Sequence, residues 1–515
     1  FGSSRGSARS PAPPAASARR PRRPLGPPAP RKMLSPAMVQ GSFIACCALT
    51  GIAMWVARES ASSKPRPEAG EGFQGFQRLY LRVYLLATFS DWLQGPYVYA
   101  LYESYGFPPR DIAVLFVAGF GSSMVFGTVV GVMADSTGRK RSALIYCALY
   151  IASCLTKHVN RYWVLMVGRI TGGMATSLLF SVFDSWLVCE HNARGFHADL
   201  LGETLSLATF GNSVVAIAAG VLSQFAADFQ PLKPPVGPGV TVHRGGYCGP
   251  FDLAVACLVL CGGVAWTLWS ENYGEKQESS VSLVQVGVVR EAAQIIYGVP
   301  EVLYCGVVCA LFEASMFIFV FQWTPAVSPA GQPKPPYGHI FATFMVACML
   351  GSRIFSLASK FLRVEVIGQI LLAVAMCTHA VPVFSSDPAV CFYAFLAFEL
   401  CVGVYFPTLG TLKGDIVPES MRATIYNLYR VPLNLLVVTS LVAGVSTCTA
   451  FKVTCVLLCL ALVAMTFLAG ARPEGKPARE AVPTGPKWEL DPLEGQTIGA
   501  ADAEKGEQEE LGGPE

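Results

Sequence analysis

Charged side chains are scarce in this sequence. Asp, Glu, Lys and Arg make up 14% of its 515 residues, whereas soluble domains carry about 25%. A water-soluble core of this size would need a charged surface, so the shortage argues against a soluble protein. Hydrophobic residues reach 52%, and the mean hydropathy is +0.45. Many of them stand in blocks of about 18 residues or more, which is long enough to cross the hydrocarbon layer of a bilayer.

The signatures of common enzymes and pumps are absent from the chain. It has no GxSxG elbow, no Walker loop and no HExxH helix, and its histidines do not cluster. We therefore predict that the protein is neither an enzyme nor an ATP-driven pump. The net charge is only +3, so nothing points to a nucleic-acid partner.

No cysteine pair has the spacing and the polar neighbours of a zinc site. Most of the 17 cysteines lie inside apolar blocks, where cysteine acts as a small apolar packing residue. Cys248 lies in a segment predicted to be outside and is the best candidate for a disulfide, without an obvious partner. The sequence predicts no metal and no cofactor.

Twelve apolar blocks form two sets of six. The first set spans about 78–270 and the second about 298–470, with a polar stretch at 271–297 between them. A further apolar segment lies at 38–57. Because lipid offers no partners for backbone groups, every spanning block must be helical. We predict an all-α integral membrane protein of two six-helix halves, with an extra N-terminal helix and the substrate held between the halves.

The two ends of the chain differ in composition from the apolar blocks. Residues 1–37 are predicted to be a disordered or non-native extension, and residues 471–515 a disordered tail. The first 32 residues are rich in Pro, Ser, Ala and Arg. They fit a targeting peptide or translated upstream sequence before a start at Met33. Their many prolines would break a targeting helix and favour the second interpretation.

Basic residues mark the loops on one side of the membrane. They lie at 139–141 between the second and third blocks, at 360–363 between the eighth and ninth, and near 413–422 between the tenth and eleventh. Short loops rich in Lys and Arg stay in the cytosol. These loops, the 271–297 linker and the C-terminal tail are therefore predicted to be cytosolic.

The segment 131–141, here called the gate motif, is the sharpest local pattern. It reads GVMADSTGRKR and resembles the loop signature GxxxD(R/K)xGR(R/K)(R/K) of the major facilitator superfamily, except at Ser136. The residues that carry the match are Gly131, Asp135, Gly138, Arg139, Lys140 and Arg141. A second string, Gly168 to Gly173, resembles the superfamily's arginine followed by closely spaced glycines, which let helices approach.

Further strings resemble one branch of that superfamily, the molybdate-anion transporter family. The resemblance runs in order from about Met33 to about Ala471. Its strings include DWLQGPY at 91–97, LFS at 179–181, ENY at 271–273, FIFVF at 317–321, YFP at 405–407, IVPE at 416–419 and RVPL at 430–433. It implies a multi-pass transporter of the plasma membrane that takes up molybdate, a tetrahedral dianion, by alternating access.

Two arginines lie within apolar blocks of opposite halves. An ionisable group in hydrocarbon costs about 2.5–3.5 kcal/mol on insertion scales, so Arg169 and Arg430 need a reason to be there. The guanidinium fork can give two parallel hydrogen bonds to a dianion. We hypothesise that both bind substrate, with Gln94, Tyr97 and Asn212 as uncharged donors. The alternative is that each arginine pairs with an acid, as Arg169 could with Asp91.

Three carboxyl groups are predicted near the middle of apolar blocks: Asp91, Glu313 and Glu399. Each could carry protons, or could be fixed in an ion pair or by a hydroxyl such as that of Tyr97 or Tyr405. Lys157 is expected at the outer end of its block, where it would attract anions or extend to the surface.

Other functions remain open at the level of sequence. A superfamily transporter could carry a different small solute, such as a sulfate-like oxyanion or a sugar. The same fold could also serve a membrane sensor that transports nothing. The oligomeric state is not predicted.

Overall fold

The computed structural model of the protein describes residues 34–59, 72–233, 242–273, 281–328, 333–418 and 421–472. The predicted C-terminal tail beyond Arg472 and all but the last residues of the predicted N-terminal extension lie outside this part of the chain. So do residues 274–280 of the predicted linker.

The first half of the bundle is built from helices separated by short connections. Its elements are α2 (Phe73–Gln94), a 3₁₀ turn (Gly95–Tyr97), α3 (Val98–Ser104), α4 (Pro109–Thr137), α5 (Arg139–Thr156), α6 (Tyr162–Ala193), α7 (Ala198–Asp228), a second 3₁₀ turn (Gly246–Cys248) and α8 (Gly249–Leu268). The 3₁₀ turn and α3 continue α2 toward the outer end of the bundle, so that these three elements make one span.

The second half repeats the pattern with six helices. They are α10 (Pro300–Val327), α11 (Tyr337–Ala358), α12 (Val364–Phe384), α13 (Pro388–Ile416), α14 (Arg422–Val442) and α15 (Thr447–Ala471). Two helices stand outside the repeat: α1 (Pro36–Glu59), which packs against α11, and α9 (Val281–Gly298), which packs against α10 and α14. The predicted all-α, two-half architecture is therefore confirmed. Helix α9 was not foreseen within the stretch predicted as a linker.

Length and composition mark most of these helices as membrane spans. Among the described residues, eleven helices are long and apolar enough to cross a membrane. Helices α2 and α5 fall short because each carries three charged residues, which in α2 are Arg78, Arg82 and Asp91. Together with the eleven they complete two sets of six and the extra α1.

The two halves meet along two pairs of helices. Helix α7 packs against α11, and α4 packs against α14. The basic loops before α5 and before α12 lie at one end of the bundle, here called the cytosolic end because such loops stay in the cytosol. The opposite end is called the outer end.

Candidate functional site

Arg430 lies on a polar stripe of α14. Asn427 and Asn434 share its face, since they stand three residues before it and four after it. The Arg430 side chain is exposed, and within the described residues it has no hydrogen-bond or ion-pair partner. A charged group of this kind is not expected to face lipid. We infer that the stripe lines the space between the halves.

The other residues of α14 explain why this stripe does not pack against α10. Ile425, Tyr429 and Leu433 are buried, and the Tyr429 hydroxyl donates to the Val302 carbonyl of α10 at 2.6 Å. Gly306 of α10 receives the Tyr429 ring so closely that a Cβ there would meet a ring carbon at 2.2 Å. One face of α14 is thus fixed on α10, which leaves the asparagines and Arg430 on another.

Arg169 is placed differently, within the first half. Its Nε donates to the Leu115 carbonyl of α4 at 3.1 Å, and its guanidinium carbon lies 4.7 Å from the centre of the Phe116 ring. A Cβ at Gly119 would meet this guanidinium at 2.5 Å, so α4 needs a glycine there. No contact joins Arg169 to Arg430 or to Asp91 in the described part of the chain. The Arg169–Asp91 pair considered above is therefore absent.

The three uncharged donors occupy structural positions in this state. The Gln94 amide donates to the Ser90 carbonyl of its own helix at 3.2 Å. The Asn212 side chain accepts from the Trp92 indole at 2.9 Å and so joins α7 to α2. Tyr97 lies at the outer end of the bundle. Their assignment to substrate binding stays a prediction.

Tyrosine hydroxyls hold two of the three carboxyl groups in the membrane. Tyr150 of α5 donates to Asp91 of α2, and Tyr405 of α13 donates to Glu313 of α10 at 3.0 Å. The two pairs thus occupy one half each. Sequence reasoning named Tyr405 as a partner of this kind but missed Tyr150, which lies in a run of apolar residues with no distinguishing spacing.

Glu399 of α13 is buried beside α11. Within the described residues, it has neither a hydrogen-bond nor an ion-pair partner. Close packing surrounds it, because a Cβ at Gly403 would meet the Cys348 carbonyl oxygen at 1.9 Å. Glu399 is therefore the carboxyl group of the three that has no fixed partner.

The gate motif is anchored by a residue that sequence reasoning left without a role. Glu271, just after α8, accepts hydrogen bonds from the backbone amides of Lys140 at 2.8 Å and Arg141 at 3.3 Å. It therefore caps the first turn of α5, where a negative charge also opposes the positive end of the helix. Gly138 turns the chain with a φ of 104°, and a Cβ there would meet the Glu271 carboxyl at 2.6 Å.

Neighbouring contacts fix the same junction. The Arg139 amide donates to the Asn272 carbonyl at 2.9 Å, and its guanidinium donates to the Ser185 carbonyl at 3.2 Å. The rings of Trp186 and Trp269 stack at 4.0 Å. Gly131 and Asp135 lie in α4, and the side-chain environment at these two positions lies outside the described part of the structure.

Substitution of Glu271 by alanine should weaken this junction. Loss of a charged cap typically costs about 1–2 kcal/mol. We expect purified Glu271→Ala protein to unfold at a lower temperature than the unmodified protein in the same detergent. The matched control is Glu291→Ala, since Glu291 is an exposed glutamate on α9. Equal midpoints for both variants would contradict the capping role.

Contacts between the halves close the outer end of the bundle. The Gln224 carbonyl oxygen of α7 accepts from the Tyr97 hydroxyl at 2.8 Å and from the Gly338 amide of α11 at 3.0 Å. Phe321 of α10 packs edge-on against Tyr99 and Phe116, each at 5.3 Å between ring centres. The bundle is therefore closed at its outer end, and we infer that the exposed Arg430 stripe is reached from the cytosolic end.

Sequence reasoning missed several of these functional positions. Asn427 and Asn434 could have been found from their spacing around Arg430 on one helical face. Glu271 carries the signal of an isolated acid directly after an apolar block. Gln224 offers no such signal, because only the fold brings it between α2 and α11.

A family model described as sugar transporters with 12 TM matches residues 38–405 of this chain. Curated relatives carry the name molybdate-anion transporter. The one from Xenopus tropicalis is 35% identical over 400 residues, which cover 75% of this chain and 84% of that protein. The one from Takifugu rubripes is 34% identical and covers 72% and 80%. The one from Danio rerio is 32% identical and covers 73% and 80%.

Solved structures of transporters share the fold. The inward open xylose transporter XylE from E. coli matches with a TM-score of 0.58 and 14% identity, over 79% of this chain and 98% of that chain. A bacterial homologue of the human lysosomal transporter Spinster matches with a TM-score of 0.59 and 11% identity, over 81% and 100%. Sequence identity this low supports the fold alone. The identity to the curated relatives is high enough to establish descent, and the chain belongs to the molybdate-anion transporter family of the major facilitator superfamily.

Proposed function

We propose that this protein is a secondary transporter that takes up molybdate across the plasma membrane by alternating access. The observation that carries the proposal is Arg430, an arginine within a spanning helix that is exposed on a polar stripe. The names of its relatives supply the substrate. A tetrahedral dianion needs positive charge and several donors, and this stripe offers one guanidinium and two amides.

The contacts of the two halves suggest how the site changes sides. The outer closure depends on one glutamine, an aromatic group and the crossing of α7 with α11, all between the halves. Within each half, contacts such as the Glu271 cap hold neighbouring helices together. Each half can therefore move as a unit, so that the outer end opens while the cytosolic end closes.

Arg169 keeps a part in this proposal, although its place is nearer the outer end. In the inward-open arrangement its guanidinium rests on the Phe116 ring. We propose that Arg430 holds the anion before release to the cytosol and that Arg169 acts when the outer end is open. Gln94, Tyr97 and Asn212 would join the site only if the outer closure rearranges.

Coupling to protons is proposed for Glu399. It is buried and, within the described residues, without a partner, whereas tyrosine hydroxyls already hold Asp91 and Glu313. At constant external pH, a protonophore should lower uptake by the unmodified protein severalfold. It should leave the residual uptake of Glu399→Gln unchanged. If the protonophore does not change uptake by the unmodified protein, transport is not coupled to protons.

Uptake in yeast cells that express residues 33–515 tests the proposed function directly. Labelled molybdate should accumulate above the level of cells with an empty vector. A hundredfold excess of unlabelled sulfate separates a molybdate carrier from a general oxyanion carrier. Because the matching family model is described as sugar transporters, glucose and xylose should also be tested as competitors of molybdate uptake. No accumulation despite confirmed surface expression would favour another solute or the sensor.

A further inference from the structure

Two cationic side chains lie together near the outer end of the first half. Lys157, directly after α5, is buried, and its ammonium donates to the carbonyl and hydroxyl oxygens of Ser153 at 3.2 and 3.4 Å. A Cβ at Gly168, the residue before Arg169 on α6, would lie 3.1 Å from the Lys157 Nζ, and the charge of Arg169 acts on Lys157. Within the described residues, neither cation contacts a carboxylate. Lys157 is fully buried and Arg169 half-buried. Because buried charges are normally paired, the surroundings of Lys157 lack a compensating negative charge.

A third polar group completes the cluster. Tyr102 of α3 is fully buried, and its hydroxyl has no hydrogen-bond partner in the described part of the chain. Tyr102 stands three residues before Tyr105, whose hydroxyl donates to the Lys157 carbonyl at 2.6 Å, and the charge of Arg169 acts on Tyr102. Buried hydroxyl groups without a partner are rare in folded proteins. Lys157, Arg169 and Tyr102, here called the outer cluster, thus offer donors and positive charge that the protein itself does not satisfy.

The aromatic closure of the outer end covers this cluster. The Phe116 ring contacts both the guanidinium of Arg169, 4.7 Å from the ring centre, and the Phe321 ring of the second half, at 5.3 Å between ring centres. Phe321 also packs on Tyr99. Separation of the halves at the outer end would remove Phe321 from Phe116, so that the Phe116 ring could turn away from Arg169.

From this arrangement we infer that the outer cluster is a binding site for a tetrahedral oxyanion, which captures the anion from outside before it reaches Arg430. The site is closed in the inward-open state and opens with the outer end. Lys157 and Arg169 neutralise the dianion, and the Tyr102 hydroxyl donates to one of its oxygens. The role of the site in transport rests on the proposed function, but its chemistry as an anion site does not.

The environment of Lys157 adds a dependence on pH. Burial, and after it the charge of Arg169, lowers the pKa of Lys157 to about 7. The other titratable groups nearby are Cys154 on α5, whose thiol interacts with Lys157 and also with Asp91 on α2 and Asp252 on α8, and Tyr105 beyond α3. Asp252 is paired with His158, the residue after Lys157. Only the protonated amine attracts an anion, and the bound anion in turn favours the proton. Affinity should therefore rise about tenfold from pH 8 to pH 6.

Equilibrium binding of labelled molybdate and of labelled sulfate to the purified full-length protein tests this inference. The unmodified protein should bind more tightly at pH 6 than at pH 8. Lys157→Arg should bind with little dependence on pH, because arginine stays charged throughout this range. Lys157→Met should bind at least about tenfold more weakly at pH 6. Lys233→Met, an exposed lysine of the outer loop, is the control.

Uptake kinetics separate this site from the central one. Lys157→Met should raise the KM for uptake while the kcat stays near that of the unmodified protein. If both Lys157 variants keep the affinity and the pH dependence of the unmodified protein, the outer cluster is not an anion site. That conclusion would hold even if the unmodified protein transports molybdate. Conversely, a protein that binds oxyanions as described but accumulates no molybdate would overturn the proposed function and leave the cluster in place. A protein that binds neither anion at either pH would overturn both.

Discussion

Replacement of Arg430 by glutamine should lower the kcat/KM for molybdate uptake by at least about tenfold. The change keeps a polar side chain that can donate a hydrogen bond, and it removes the positive charge that faces the proposed cavity. A hydrogen bond to a charged group contributes about 1.5–3 kcal/mol, which corresponds to about 10-fold to 150-fold in affinity or rate. The measurement is the initial rate of uptake over a range of molybdate concentrations.

Two further variants sharpen this result. Arg430→Lys keeps the charge but loses the planar fork, so it should retain an intermediate rate. Lys452→Gln removes a positive charge from an exposed position on α15, away from the polar stripe, and should leave uptake unchanged. Surface expression of all three proteins must be equal for the comparison. If Arg430→Gln shows full uptake, the anion does not bind at α14.

Asn427 and Asn434 offer a graded test of the same stripe. Neutral donors contribute about 0.5–1.5 kcal/mol each, so alanine at either position should raise the KM by about twofold to about tenfold. A larger effect at these positions than at Arg430 would mean that the stripe recognises an uncharged solute.

The sequence predicted the architecture well because spanning helices follow from composition alone. Long apolar blocks, the polar stretch at 271–297 and the basic loops were enough to predict two six-helix halves. Even α2 and α5, which carry charges, were recognised as apolar blocks. Helix α9 was missed because Gln285, Arg290 and Glu291 interrupt its apolar residues, and it directly follows a polar segment.

The candidate site was harder to predict because its contacts join residues far apart in the chain. Arg169 was expected to face the substrate, yet it packs on α4, which no local pattern reveals. Tyr150 and Asp91 are separated by 59 positions, and Tyr405 and Glu313 by 92. Spacing within one helix can show a polar stripe, as at Arg430, but it cannot show which helix will be its neighbour.

At the cytosolic end of each half, a charged residue after the sixth helix contacts the start of the third helix. That residue is acidic in the first half and basic in the second. In the first half, Glu271 after α8 caps the start of α5. In the second half, Arg472 after α15 pairs with Glu365 in the first turn of α12 at 3.1 Å. Each half thus ties the end of its sixth helix to the start of its third. Such a tie keeps each half rigid, which alternating access requires.

Replacement of Gly338 by leucine should trap the protein with its outer end open. Helices α7 and α11 cross here with their backbones in contact: a Cβ at Gly338 would lie 2.4 Å from the Gly220 carbonyl oxygen, and one at Gly220 would lie 2.7 Å from the Ala342 amide. Overpacking of this kind costs about 1–3 kcal/mol or more. That cost falls only on the state in which the outer end is closed, so the equilibrium shifts toward the open one.

Two measurements on Gly338→Leu distinguish a trapped state from simple damage. Uptake should fall by at least about tenfold, because a shift of about 1.4 kcal/mol already changes the ratio of the two states tenfold. At the same time, a membrane-impermeant amine reagent applied from outside should label Lys157 faster than in the unmodified protein, since the outer cluster is uncovered. Peptide mass spectrometry reads the label at that position.

Gly263→Leu is the matched control, because a Cβ at Gly263 meets nothing within 4 Å. It should change neither uptake nor the labelling of Lys157. If Gly338→Leu loses uptake without faster labelling, the crossing serves stability rather than the switch between states. If it keeps full uptake, the closure of the outer end does not depend on the contact between α7 and α11. Faster labelling with retained oxyanion binding and lost uptake would link the crossing of the two halves to the exposure of the outer cluster.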